Sequence, residues 1–241
     1  MPAVFVHGVP ESHVIWDPIR AKLSRKDTIA VDLPGFGAPL PSGWGATKEE
    51  YADWLTKEIE KIGEPVDLVG HDWGSLLTLR VGSTRPDLIR TWTGGSGAIH
   101  PDYVWHDMAK MWQTPGVGEQ VMAAMTGDAL KAGLAGGGIP EADLDAIARK
   151  IDDTMKDCIL KWYRSAVNVG KEWGPDLMHL SERPGMLIWG VDDPYMAMHY
   201  AEDMVKDTKA KMVKLEKTGH WWPLQRPAEA AAALEEHWGP L

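Results

Sequence analysis

The sequence predicts an α/β protein: a mostly parallel, doubly wound sheet of about six strands, interrupted by one inserted helical segment. Short β-branched runs alternate with amphipathic helical patterns, the arrangement that covers a parallel sheet on both faces. That alternation stops between Ser96 and about Leu180, where helical patterns and the glycine break Gly136-Gly137-Gly138 occur without a convincing strand. The length of 241 residues, 44% of them hydrophobic, suits one such domain with an insertion.

Ala3-Val4-Phe5-Val6 reads as a buried strand running into His7-Gly8-Val9-Pro10, and Thr28-Ile29-Ala30-Val31 as the next, ending in Asp32-Leu33-Pro34-Gly35-Phe36-Gly37. A helix starts near Thr47, where Thr47 and Glu50 have capping-box spacing, and Tyr51, Trp54, Leu55, Ile59 and Ile62 follow its apolar period. Val66 to Val69 forms a third strand closed by Gly70-His71-Asp72-Trp73-Gly74, with a helix from about Ser75 to Thr84 behind it. Ile89 to Thr93, Met186 to Trp189 and Lys211 to Leu215 supply the remaining strands, and Ala228 to Trp238 a closing helix. The resulting division is an α/β core of residues 1–97 and 181–241 with a helical cap at 98–180.

Composition narrows the function classes. Formal charge is −10 with no basic tract, so phosphate-backbone binding is not expected. No run approaches the roughly 20 apolar residues of a membrane span, and the first residues lack a basic signal-peptide n-region. A lone cysteine, Cys158, rules out an intramolecular disulfide and agrees with a reducing cytoplasm. The expected partner is a small-molecule substrate, with the chain acting as monomer or homodimer. The 13 tryptophans suit both core and pocket walls.

Gly70-x-Asp72-x-Gly74, set between a strand and a helix, carries the chemistry. Glycines two residues either side permit a sharp turn that lifts the middle side chain above the sheet, beside a helix N-terminus. A carboxylate there needs no deprotonation to attack a saturated carbon, and the product is an enzyme ester. By itself the motif also fits a loop aspartate capping a helix.

With His7-Gly8-Val9-Pro10 and Gly219-His220-Trp221 in their places, the chain resembles the α/β-hydrolases of the epoxide hydrolase and haloalkane dehalogenase branch, over nearly its whole length. The resemblance implies Asp72 as nucleophile, His220 as the base activating water, and an oxyanion hole from the backbone N–H groups of Val9 and Trp73. Its Gly-x-x-Asp spacing selects Asp193 as the acid, with the neighbouring Asp192 as fallback. His7 and His71 take structural roles, and Pro10 shapes its turn, plausibly through a cis bond. Two strands usual before the first motif are missing, which would leave Thr28 to Asp32 at a sheet edge. No cofactor or metal is implied.

The two chemistries of this branch differ in how the leaving group is stabilised. Lys161-Trp162-Tyr163-Arg164 resembles the epoxide hydrolase segment whose tyrosine donates to the epoxide oxygen, which maps onto Tyr163. The second tyrosine position corresponds to Met108, so His106 becomes the candidate second donor, with Trp105 and Trp112 as pocket walls. Dehalogenation, with indole N–H groups holding the halide, is the alternative. A non-catalytic ligand-binding protein is the reading from another class, and a tailoring enzyme acting on a bulky aromatic substrate is a related one.

Overall fold

A computed structural model describes residues 1–239. Six parallel strands form one sheet: β1 (Ala3–Val6), β2 (Thr28–Val31), β3 (Val66–His71), β4 (Ile89–Gly95), β5 (Gly185–Gly190) and β6 (Lys211–Leu215), in the order β2-β1-β3-β4-β5-β6. Every neighbouring pair is parallel. β1 and β3 are buried along their full length because both sheet faces are covered, whereas β2 is only half-buried at the sheet edge.

The helices are α1 (Asp17–Arg20), α2 (Lys48–Ile62), α3 (Trp73–Thr84), α4 (Asp107–Gln113), α5 (Val117–Ala124), α6 (Gly127–Gly136), α7 (Glu141–Ala148), α8 (Asp153–Ser165), α9 (Val169–Trp173), α10 (Met198–Thr208), α11 (Trp222–Gln225) and α12 (Pro227–Trp238). Thr47 and Glu50 make the expected reciprocal capping box at α2. α10 was not legible in the sequence, although it buries Ala201 and Met204 one turn apart. The three central strands β3, β4 and β5 and the helix α3 run one to two residues beyond the sequence-based bounds.

Between β4 and β5 the described chain is helical, α4 to α9 with a 3-10 stretch at Gly174–Glu182, and it lies over the ends of β1, β3 and β5 where the loops gather. Aromatic packing fastens it there: Trp162 of α8 stacks on Tyr51 of α2 with ring centroids 3.7 Å apart, a pairing worth about 0.5–1.5 kcal/mol beyond its buried area. The buried Lys48 ammonium adds an ion pair to Glu172 of α9 at 2.6 Å.

At the opposite end of the sheet, Asp67 of β3 is fully buried and fully partnered. It accepts from Arg25 Nη1 at 2.8 Å and Thr91 Oγ1 at 2.7 Å, with Arg90 as a further partner. A buried carboxylate is tolerable only with such partners.

Candidate active site

The turn after β3 is sharp because its backbone is strained. Asp72 has φ 52° and ψ −122° and stands at the N-cap of α3, a conformation costing a non-glycine residue about 1–3 kcal/mol. The flanking glycines are sterically required. A Cβ on Gly70 would lie 2.1 Å from the Gly74 carbonyl oxygen, and one on Gly74 would lie 2.0 Å from that of Val6.

The carboxyl so raised is held at one oxygen. Val9 N–H donates to Asp72 Oδ1 at 2.7 Å from the turn after β1, whose Val9–Pro10 peptide is cis. Asp72 Oδ2 lies 3.5 Å from His220 Nε2. His220 sits in the loop between β6 and α11, and its Nδ1 is 3.0 Å from Asp193 Oδ2 in the loop after β5. Asp193 is itself fixed by the N–H groups of Tyr195 and Met196, at 2.9 and 3.1 Å. Asp192 is exposed. Thus three strand ends bring Asp72, His220 and Asp193 into one line, in that spatial order.

Electrostatics follow from the line. Burial would push the Asp72 carboxyl up, but His220, His71 and the Trp73 N–H together hold it below the usual carboxylate value. Burial would likewise lower the His220 imidazole, but Asp193 and then Asp72 raise it well above its ordinary value. Asp193, against burial, is held down by His220 and by the N–H of Tyr195.

His7 and His71 brace the loops. The His7 Nδ1–H donates to the Gly8 carbonyl at 2.9 Å while Nε2 accepts from Leu33 N–H at 3.1 Å, and burial lowers its imidazole. His71 Nε2–H donates to the His220 carbonyl at 2.8 Å, and its Nδ1 lies 2.7 Å from Glu11 Oε1. Glu11 Oε2 in turn accepts from Gly8 N–H at 2.6 Å. Sequence reasoning passed over Glu11; its signal was a carboxylate directly after Pro10 in an otherwise apolar turn. Glu11, His71 and His220 offer donor atoms within 4.8 Å of one another. His71 Nε2, His220 Nδ1 and Glu11 Oε2 are nevertheless taken by the His220 carbonyl, Asp193 and Gly8.

A cleft of about 800 Å³, mouth included, opens over Asp72 and is lined by Tyr163, His106 and Trp112 among mostly apolar side chains. Tyr163 of α8 is buried, edge-on to Trp73 with centroids 5.5 Å apart. Burial, then the Asp72 charge, raises its phenol, so it stays protonated. His106 caps α4, its Nδ1 accepting Ala109 N–H at 3.2 Å, which leaves the proton on Nε2. Burial lowers its imidazole. Trp105 stacks on Trp73 at 5.8 Å, and its Nε1–H donates to the Val167 carbonyl at 3.3 Å. Tyr195 was missed: nothing in its local sequence marks it, yet its ring meets His220 edge-on at 5.0 Å and it lines the cleft.

A model of the alpha/beta hydrolase family matches residues 3–234. The chain belongs to the alpha/beta hydrolase family. The chain is 35% identical over 91 residues to the (E)-2-((N-methylformamido)methylene)succinate hydrolase of Acinetobacter baylyi, covering 37% of this chain and 35% of that one. It is 36% identical over 97 residues to epoxide hydrolase 2 of Siraitia grosvenorii, covering 37% of this chain and 30% of that one. These matches span about a third of the length of each relative. The alpha/beta hydrolase fold also superimposes on a haloalkane dehalogenase loop variant from Bradyrhizobium elkanii with TM-score 0.76 and 21% identity, over 98% of this chain and 90% of that one.

The arrangement can perform two-step displacement chemistry. Asp72 Oδ2 is free to attack a carbon, and the resulting ester carbonyl would be Oδ1, already facing the Val9 N–H that could take up oxyanion charge.

Proposed function

We propose that this hydrolase opens an epoxide to a vicinal diol through a covalent ester on Asp72, with residues 98–180 serving as a cap over the core. The observation that carries the reading is the pairing of Asp72 Oδ2 with a buried, protonated Tyr163 across the same cavity, while the neighbouring indole N–H groups are either bonded or shielded from the cavity surface. The Trp105 N–H is bonded to Val167, the Trp73 indole faces the Tyr163 oxygen, and the Nε1 atoms of Trp112 and Trp221, though without hydrogen-bond partners, are buried. A departing halide would need such N–H groups both unpartnered and exposed to the cavity. An opening epoxide needs an acidic O–H instead.

In the first step Asp72 Oδ2 attacks an epoxide carbon, a C–O ester bond forms as the ring C–O bond breaks, and the ring oxygen takes the Tyr163 proton, with the His106 Nε2–H as a second donor. Esterification then removes the Asp72 charge. The imidazole of His220 loses one of the two carboxylates that raise it and becomes the base that the second step needs. It takes a proton from water, hydroxide adds to the Asp72 carbonyl carbon, and the Val9 and Trp73 N–H groups hold the oxyanion. Collapse expels the alkoxide, and the two water hydrogens protonate it and restore Tyr163. A reducing, cytoplasmic setting fits the single buried Cys158.

The test is the intact mass of His220→Gln after incubation with epoxides and, separately, haloalkanes. A gain equal to the whole epoxide supports the reading. A gain of the alkyl group alone makes the protein a dehalogenase and rejects it.

A further inference from the structure

Asp72 stands at a waist between two chambers of unequal size. Asp72, His106, Tyr163, Tyr195 and His220 line both. The larger chamber, the cleft of about 800 Å³, continues between α4 and α6 along Met108, Met125, Leu130 and Leu134, and carries no Lys, Arg or Glu. The smaller, about 300 Å³ by the same measure, is bounded by Trp73, Leu76, Tyr103, Trp105 and Met196. Its free space admits little more than a water-sized group.

The two chambers also differ in how far they can yield. Behind the small one, Trp73 is packed by Trp105, Trp162 and Tyr163 at centroid distances of 5.8, 4.8 and 5.5 Å. Its backbone side is closed by Gly97, where even a Cβ would fall 2.2 Å from the Asp72 carbonyl oxygen and 2.7 Å from Leu76 Cδ1. Its outer wall, Trp105, is pinned to the Val167 carbonyl. The large chamber is walled instead by flexible methionine and leucine side chains, which repack around irregular apolar groups.

A substrate carbon attacked by Asp72 Oδ2 must sit at the waist, so the substituents of a three-membered ring divide between the chambers. Resting on the epoxide reading, we infer that the substrate is an uncharged, lopsided epoxide: one long apolar substituent, and on the other carbon nothing larger than hydrogen or methyl. Trp105 is the residue that sets this limit.

The experiment compares a ten-carbon terminal epoxide with its mid-chain isomers, which match it in mass and differ only in how carbons are shared across the ring. The wild type should favour the terminal isomer in kcat/KM by at least roughly tenfold, the discrimination a pocket exerts per methylene or more. Trp105→Leu should narrow that gap. Leu134→Trp, filling the large chamber, should lower kcat/KM for the ten-carbon terminal epoxide relative to the four-carbon one. Equal kcat/KM for the terminal and mid-chain isomers in the wild type overturns the inference, whether or not either variant folds. If neither isomer forms an adduct with His220→Gln, the epoxide reading falls and takes the inference with it. If both form adducts at the same rate, the inference alone falls.

Discussion

Val9 N–H donates to Asp72 Oδ1 at 2.7 Å, and this bond distinguishes that oxygen from Oδ2, which faces His220. Oδ2, facing His220 Nε2 at 3.5 Å, is the atom to which the proposed mechanism gives the attack. Asp72→Asn keeps the shape and removes the nucleophile, and Asp72→Ala removes both. Each should lower kcat by roughly 10⁴-fold or more, the scale of losing a member of a catalytic triad. Turnover retained in Asp72→Ala would reject the nucleophile assignment, and in a ligand-binding protein without turnover Asp72→Asn would change nothing beyond binding.

Tyr163 acts as a proton donor only in the first step. Tyr163→Phe should slow ester formation by about 10²-fold or more, as for loss of a general acid, and leave ester hydrolysis nearly unchanged. Single-turnover kinetics with mass detection separates the two, and equal slowing of both would remove Tyr163 from the donor role.

The second step should follow the ionisation of His220. Water activation requires the neutral imidazole, so its rate rises with pH through the His220 value in the ester. Asp193 is the carboxylate that still raises that value once Asp72 is esterified. Asp193→Asn should therefore move the acid limb to lower pH, and also slow hydrolysis by roughly 10²–10⁴-fold because the imidazole loses its orienting acceptor. Exposed Asp192→Asn should change neither. If Asp192→Asn produces the effect instead, the acid has been misassigned.

The same pair makes stability depend on pH at both ends. Asp193 is depressed in the fold, so its contribution is present above the unfolded value near 3.9 and is lost as pH falls through the lower folded value. His220 is raised, so its contribution is complete below about 6.5 and is lost as pH rises through the higher folded value. The Tm advantage of wild type over Asp193→Asn should be widest between about pH 4 and 6.5 and shrink on either side. A pH-independent difference in thermal scans would show that the two groups are not coupled.

Far from the cleft, Asp67→Ala strands the Arg25 guanidinium, whose side chain is 1% exposed, without its buried partner. Urea unfolding should show a loss of about 3–5 kcal/mol, the cost of breaking a buried pair from one side. A loss below 1 kcal/mol would mean that water or Asp27 replaces Asp67 at no cost.

Much of this was written in local order. Strand and helix periods are set by neighbours a few residues apart, so β1, β2, β6, α2 and the edge position of β2 were legible directly. Gly70 and Gly74 announce the elbow because nothing larger fits between β1 and α3. The spacing after β5 picked out Asp193, and the structure puts Asp193 rather than Asp192 against His220.

What the sequence determined by itself is the sheet and its elbow, because each depends on backbone conformation encoded within one turn or strand, while the order Asp72, Asp193, His220 followed from the motifs that carry the family resemblance. Only the tertiary structure decided which side chains meet across distant segments. Glu11 reaches His71, 60 positions along the chain, and Tyr195 meets both His220 and His106. It also decided which indole N–H groups are spent, and that Asp72 stands between a large chamber and a small one. Such contacts arise when helices dock on a sheet and fill shared volume, and no local period in the sequence records where two surfaces will touch.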